Sequence, residues 1–189
     1  MTIQRSYLLP LALAVATATA GCGQATTGAG MAPAASPQGS AAGQVAPSDQ
    51  DRIWMKKIHR DYLAEKLAGG LAERKGAAAA VRELGAKLVT AHAELDAELT
   101  QAAARLGVEL PAAPSEEQEK AGKALEEASG KDFDKAFLTA MRKRHATAMG
   151  QTRTEIKKGS SPEVKAMAKS ALQVMRHHSL LTKKALEES

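Results

Sequence analysis

The chain has 189 residues and a formal net charge of +5 at pH 7, with only 3% aromatic residues. Its basic residues alternate with acidic ones, as in VRELGAKL and RTEIKK, and no dense basic block is present. This pattern argues against a nucleic-acid partner. Because the composition is rich in alanine and poor in alternating β-branched and aromatic residues, we predict an all-helical protein.

The N-terminal 21 residues have the features of a signal peptide. Arg5 precedes an apolar stretch over residues 7–20 that is too short to be interpreted as a membrane-spanning helix. The chain's single cysteine, Cys22, follows in TAGC, which resembles a bacterial lipobox, although Thr19 stands where leucine is usual. We therefore predict a lipoprotein signal peptide over 1–21 and lipidation of Cys22. The alternative is an ordinary signal peptide followed by an incidental free cysteine.

Lipidation would make the membrane a partner of this protein and place it in the cell envelope as an exported, anchored lipoprotein. Residues 23–48 contain no charged residue and consist largely of Gly, Ala, Ser, Pro and Gln. Such a composition cannot bury a core. We predict the lipidated cysteine plus a flexible tether over 22–48 and a folded domain over 49–189.

Helix start and stop signals divide the domain into four long helices and one short one. Ser48 or Asp49 can cap the first helix, and a capping box of Ser115 and Gln118 opens the short helix. Ser161 can cap the last helix. The predicted ranges are 49–75, 77–107, 115–129, 132–158 and 162–187. Short connections between long helices predict an antiparallel four-helix bundle with a short extra helix between helices two and three.

Each long helix carries a polar residue within its apolar face. His92 lies between Leu88 and Leu99 in the stripe of helix two, and His145 and His178 occupy equivalent places on helices three and four. Glu65 occupies such a place on helix one. The periodicity favours His178 over its neighbour His177, which points about 100° away.

Four inward polar residues would be costly if they had no partners. Imidazole and carboxylate groups together can hold a single transition metal ion such as Zn, Cu or Fe. They can also hydrogen-bond to one another in an internal network. The weaker candidate ligands are His177, Asp61 and His59.

The chain contains no Glu-x-x-His pair of the kind that builds a di-iron centre. We therefore predict no catalytic residue, and an enzymatic role is the less favoured one. The sequence leaves the cofactor undetermined, with a single transition metal ion as the candidate.

Several segments occur in an order that resembles a known family. They are DRIWMKKIHRDYLAEKLAGGLAERKG, VRELGAKLVTAHAELDAEL, LGVELP, GKDFDKAFLTAMRKRHATAM and VKAMAKSALQVMRHHSLL. Together they resemble the ferritin-like domain-of-unknown-function family of exported bacterial proteins, often described as outer membrane proteins, and its actinobacterial branch in particular. The resemblance covers about residues 51–183 and implies a ferritin-like helical bundle outside the cytoplasm, without implying an established reaction.

The family pattern can be carried over residue by residue. It has a glutamate that matches Glu65 and histidines that match His92, His145 and either His177 or His178. This chain has Ala91 where the family has an aspartate, and it lacks the usual proline before the last histidine.

Two functional hypotheses follow from the residues. The first is an exported, lipid-anchored helical bundle that binds one transition metal ion in its core through Glu65, His92, His145 and His178. The alternative is a non-catalytic structural or interaction module of the cell envelope, in which these residues only form a hydrogen-bond network.

Overall fold

The computed structural model describes residues 45–188, which form five α-helices and no β-strand. The helices are α1 (Asp49–Lys75), α2 (Ala79–Leu106), α3 (Glu116–Glu127), α4 (Gly130–Lys158) and α5 (Pro162–Glu187). The all-helical prediction is confirmed, including the short helix α3. None of these helices combines the length and apolar character needed to cross a membrane. Cys22, the predicted signal peptide and most of the predicted tether lie outside the described residues.

Three of the helices begin at the predicted caps. The Ser48 side chain accepts a hydrogen bond from the Asp51 backbone N–H, and the Ser48 N–H donates to the Asp51 carboxylate. Ser115 and Gln118 form the same reciprocal capping box at α3. Ser161 caps α5 by accepting from the Val164 N–H. These side chains satisfy backbone donors that the first helical turn leaves without partners.

Two helix starts differ from the sequence prediction by two residues. Helix α2 begins at Ala79 rather than Ala77, because the N–H groups of Ala77 and Ala78 donate to the Asp134 carboxylate at 2.9 and 2.8 Å. Helix α4 begins at Gly130 rather than Asp132. Gly130 has a φ of +57°, a conformation that glycine adopts at little steric cost.

The four long helices pack in a closed ring, in which α1 and α5 each contact both α2 and α4. Specific contacts give the directions. Trp54, near the start of α1, donates to Thr152, near the end of α4, at 3.1 Å. Arg105, near the end of α2, pairs with Glu163 at the start of α5. Both pairs of helices therefore run antiparallel, and the short α3 packs on α1 and α4.

The apolar core divides into two clusters at different heights along the helices. One contains Trp54 and Met175, and the other contains Phe133 and Met141. Polar side chains lie between these clusters. Along α4, for example, Met141 belongs to one cluster and Ala148 to the other, so the intervening inward position, His145, falls at the boundary.

A buried pair of acidic side chains ties the start of α1 to the end of α4. Asp51 and Glu155 are both fully buried. The Asp51 carboxylate accepts one hydrogen bond from the Ser160 hydroxyl group and another from the backbone N–H of Ser161. Although burial opposes ionisation, hydrogen bonds from Ser48, Glu155 and Ser160 hold the pKa of Asp51 well below its usual range. Burial, together with the hydrogen bond to Asp51, raises the pKa of Glu155 to about 7.

Glu155→Gln is expected to change how stability depends on pH. Because Glu155 has a raised pKa in the folded state, it contributes stability that is fully present below its unfolded pKa of 4.5 and is lost as pH rises through 7. The neutral glutamine cannot ionise, so E155Q should gain about 1–2 kcal/mol relative to the wild type between pH 4.5 and 8. Urea unfolding at several pH values measures this difference. A constant difference between the two proteins over that range would contradict the expectation.

Candidate metal centre

One polar side chain from each long helix lies in the middle of the helical ring. Glu65 comes from α1, His92 from α2, His145 from α4 and His178 from α5. None of the four residues is more than 2% exposed. The helical periodicity of the sequence positions these residues inward, and the antiparallel packing brings them to the same height.

The three histidines are close enough to share a metal ion, and Glu65 lies beside two of them. Glu65 Oε2 lies 3.0 Å from His145 Nε2 and 3.3 Å from His92 Nδ1. His92, His145 and His178 each offer one ring nitrogen, and these nitrogens lie within 4.8 Å of one another. Zinc binds its ligands at about 2.0–2.1 Å, so the ligand atoms of a tetrahedral site are about 3.3 Å apart. The spacing at Glu65 already matches this value, and the histidine nitrogens would need to approach by at most about 1.5 Å.

The surroundings of the cluster favour the neutral form of His92 and His178 and the ionised form of Glu65. Burial lowers the pKa of His178 to about 3, and the neighbouring His92 and His145 act in the same direction. Burial also lowers the pKa of His92. For Glu65, burial opposes ionisation, but electrostatic attraction and a hydrogen bond from His145, with a smaller contribution from the charge of Arg144, lower its pKa to about 2. Since metal ligands must be deprotonated, this is the state that a cation requires.

Several ring nitrogens in the cluster have no hydrogen-bond partner. Within the described part of the chain, the Nδ1 atoms of His92, His145 and His178 are all buried and without such a bond. His92 Nδ1 lies near Glu65 Oε2, but the arrangement does not form a hydrogen bond. A buried polar atom without a partner costs about 1–3 kcal/mol. The internal contacts alone therefore do not satisfy this cluster.

Aromatic contacts fix the orientation of His92, and the sequence interpretation did not identify them. The ring of Tyr62 stacks on His92 with a centroid distance of 5.3 Å and an angle of 19°. His92 also meets the ring of His178 edge-on at 5.1 Å. Tyr62 lies three residues before Glu65 on α1, so helical spacing alone could have pointed to it.

The three weaker candidate ligands do not join the cluster. His177 is exposed, although its ring lies 6.2 Å from that of His178. His59 instead pairs with Asp96 at 2.6 Å. Asp61 is only half-buried and accepts a hydrogen bond from the Gln118 amide at 2.6 Å. Asp61 therefore has its hydrogen-bond partner on α3, at the edge of the ring.

The fold and the cluster define an all-helical protein with three histidines and one glutamate buried among its long helices. A family model described as a domain of unknown function, DUF4142, matches residues 36–184. Since this match covers most of the sequence, the chain belongs to that family. Searches of curated proteins and of solved structures each found no match.

Proposed function

We propose that this protein binds a single transition metal ion between its four long helices, through Glu65, His92, His145 and His178. The observation that carries the proposal is the convergence of these side chains, one from each helix, with three buried imidazole nitrogens that have no hydrogen-bond partner in the described residues. Imidazole and carboxylate ligands suit Zn, Cu and Fe. A bound ion would supply a positive charge at the point where Glu65 brings a negative one.

The alternative to this proposal is that the four residues form a purely structural hydrogen-bond network. Such a network accounts for Glu65 and for one nitrogen of His145, which lie 3.0 Å apart. It leaves the Nδ1 atoms of all three histidines without a partner. One ring nitrogen of each histidine lies within 4.8 Å of the other two, so a single cation can engage all three imidazoles, whereas the hydrogen bond to Glu65 engages only His145.

We further propose that the helical ring is a four-helix bundle of the ferritin-like kind and that lipid on Cys22 holds it at a membrane. The antiparallel contacts between α1 and α4 and between α2 and α5 support the first part. The apolar residues 7–20 followed by TAGC support the second. The arrangement would place a metal-binding domain at the membrane surface, at the end of an uncharged tether.

The test is metal analysis of the full-length protein, purified without a histidine tag from the membrane fraction. We expect about one equivalent of a transition metal, and a rise in melting temperature when the apo-protein receives Zn, Cu, Co, Ni or Fe(II). No bound metal together with no thermal shift for any of these ions would overturn the metal proposal. The intact mass of the same sample would show whether acyl chains are attached to Cys22.

A further inference from the structure

A cavity of about 560 Å³ lies between α1, α3 and α4, beside the histidine cluster. Its size falls in the range of small-molecule sites. The ionisable residues that line it are Lys57, Arg60, Lys143, Arg144, Asp61 and Glu117. Basic residues outnumber acidic ones in this wall, so the cavity should favour a negatively charged occupant.

Arg144 lines this cavity, and part of its guanidinium group is packed into the cavity wall. Its Nη1 atom is buried and has no hydrogen-bond partner there. Asp61, one of the two carboxyl groups in the wall, accepts a hydrogen bond from the Gln118 amide. A guanidinium group presents its donors as a planar fork that matches carboxylate and phosphate oxygens. The Arg144 guanidinium in this wall is therefore suited to an oxyanion.

The cavity lies next to the candidate metal centre, because α1 and α4 each contribute nearby residues to both. On α1, Asp61 lines the cavity, and Glu65, one turn further along, enters the cluster. On α4, Arg144 lines the cavity, and the next residue, His145, enters the cluster. A molecule in the cavity would therefore lie against the side of the cluster that α1 and α4 form.

We propose that this cavity binds a small anion that carries carboxylate or phosphate groups, with Arg144 as its main anchor. The polar wall residues Ser115 and Gln118 border the same space and can supply further hydrogen bonds. Lys57 and Lys143 are exposed at its edge and would attract an anion from solution. The site requires no metal ion, so it is independent of the metal proposal.

The test is calorimetric titration of the full-length apo-protein at low ionic strength, with citrate in one series and inorganic phosphate in the other. We expect saturable binding of at least one probe at one molecule per chain. Arg144→Gln should weaken it at least about tenfold, the effect of losing a charged hydrogen bond. The matched control is Arg142→Gln, since Arg142 is exposed on the same helix and does not line the cavity. Its binding should stay within about twofold of the wild type.

Three results would overturn the proposal. One is the absence of binding for both probes up to about 10 mM. Another is an equal loss of anion affinity in R144Q and R142Q, which would indicate that the anion is attracted to the overall positive charge of the protein. If circular dichroism shows that R144Q does not fold, the double variant Arg60→Gln/Lys143→Gln takes its place. The third contradicting result would then be anion binding in that double variant that equals binding in the wild type. Because no metal enters these titrations, their failure is separate from failure of the metal analysis.

Discussion

His145→Asn is expected to abolish stoichiometric metal binding while the helices remain folded. His145 is fully buried, lies 3.0 Å from Glu65 and offers one of the three clustered nitrogens. Even the loss of a residue that only supports a metal ligand weakens binding 10–100-fold, so the loss of a ligand should cost at least about 100-fold. At a metal concentration 100 times the wild-type Kd, stabilisation should fall from about 2.7 kcal/mol to about 0.4 kcal/mol. Thermal unfolding with and without metal measures this change.

The matched control for that variant is His177→Asn. His177 is the exposed neighbour of His178, so its replacement removes an imidazole without touching the cluster. Metal content and metal-dependent stabilisation should equal those of the wild type. If H177N loses as much metal content and metal-dependent stabilisation as H145N, the metal binds at the surface rather than in the cluster.

His92→Leu separates the metal centre from a hydrogen-bond network. Leucine removes a buried ring nitrogen that has no hydrogen-bond partner in the described chain, so the apo-protein should be as stable as the wild type or slightly more stable. The response to added metal should disappear. A large destabilisation of the apo-protein that no metal relieves would instead favour a network in which His92 is an essential member.

Much of this cluster could be predicted because helical periodicity is a strong signal. Adjacent residues on a helix differ by about 100° in direction, and this alone separates the inward His178 from the exposed His177. The same stripe on α4 continues one turn beyond Thr152 to Glu155, which is fully buried. Glu155 was not among the polar residues predicted to lie on an inward face, although its helical spacing from Thr152 indicates that position.

Other features depend on contacts between helices, which a single sequence does not specify. The place of Asp61 at the edge of the ring follows from its hydrogen bond to Gln118 on α3. The start of α2 follows from Asp134, 57 residues from Ala77 in the chain. The unpartnered donor of Arg144 follows from the space between α1, α3 and α4. In each case the deciding group lies on another helix, so local patterns carry no information about it.

Gly85→Ala is expected to destabilise the protein by about 2–3 kcal/mol. A Cβ atom at Gly85 would lie 2.6 Å from the carbonyl oxygen of Gly69 and 2.8 Å from the backbone nitrogen of Glu73. Both are backbone atoms of α1, so α1 and α2 would have to move apart. The gain in helix propensity from alanine, up to about 1 kcal/mol, offsets only part of this cost. Urea unfolding of the apo-protein measures the net effect.

The same substitution should also weaken metal binding, because this contact sets the distance between two of the ligands. Gly69 lies one turn after Glu65 on α1, and Gly85 lies two turns before His92 on α2. Separation of the helices would widen the 3.3 Å gap between Glu65 Oε2 and His92 Nδ1, and we expect about tenfold weaker affinity.

The control for Gly85→Ala is Gly150→Ala. Gly150 is exposed on α4, and a Cβ atom there would meet nothing within 4 Å. G150A should gain up to about 1 kcal/mol from helix propensity and bind metal like the wild type. If G85A loses stability but keeps its metal affinity, the glycine contact supports the fold without positioning the ligands. If G85A is as stable as G150A, the close approach of α1 and α2 is not required for folding.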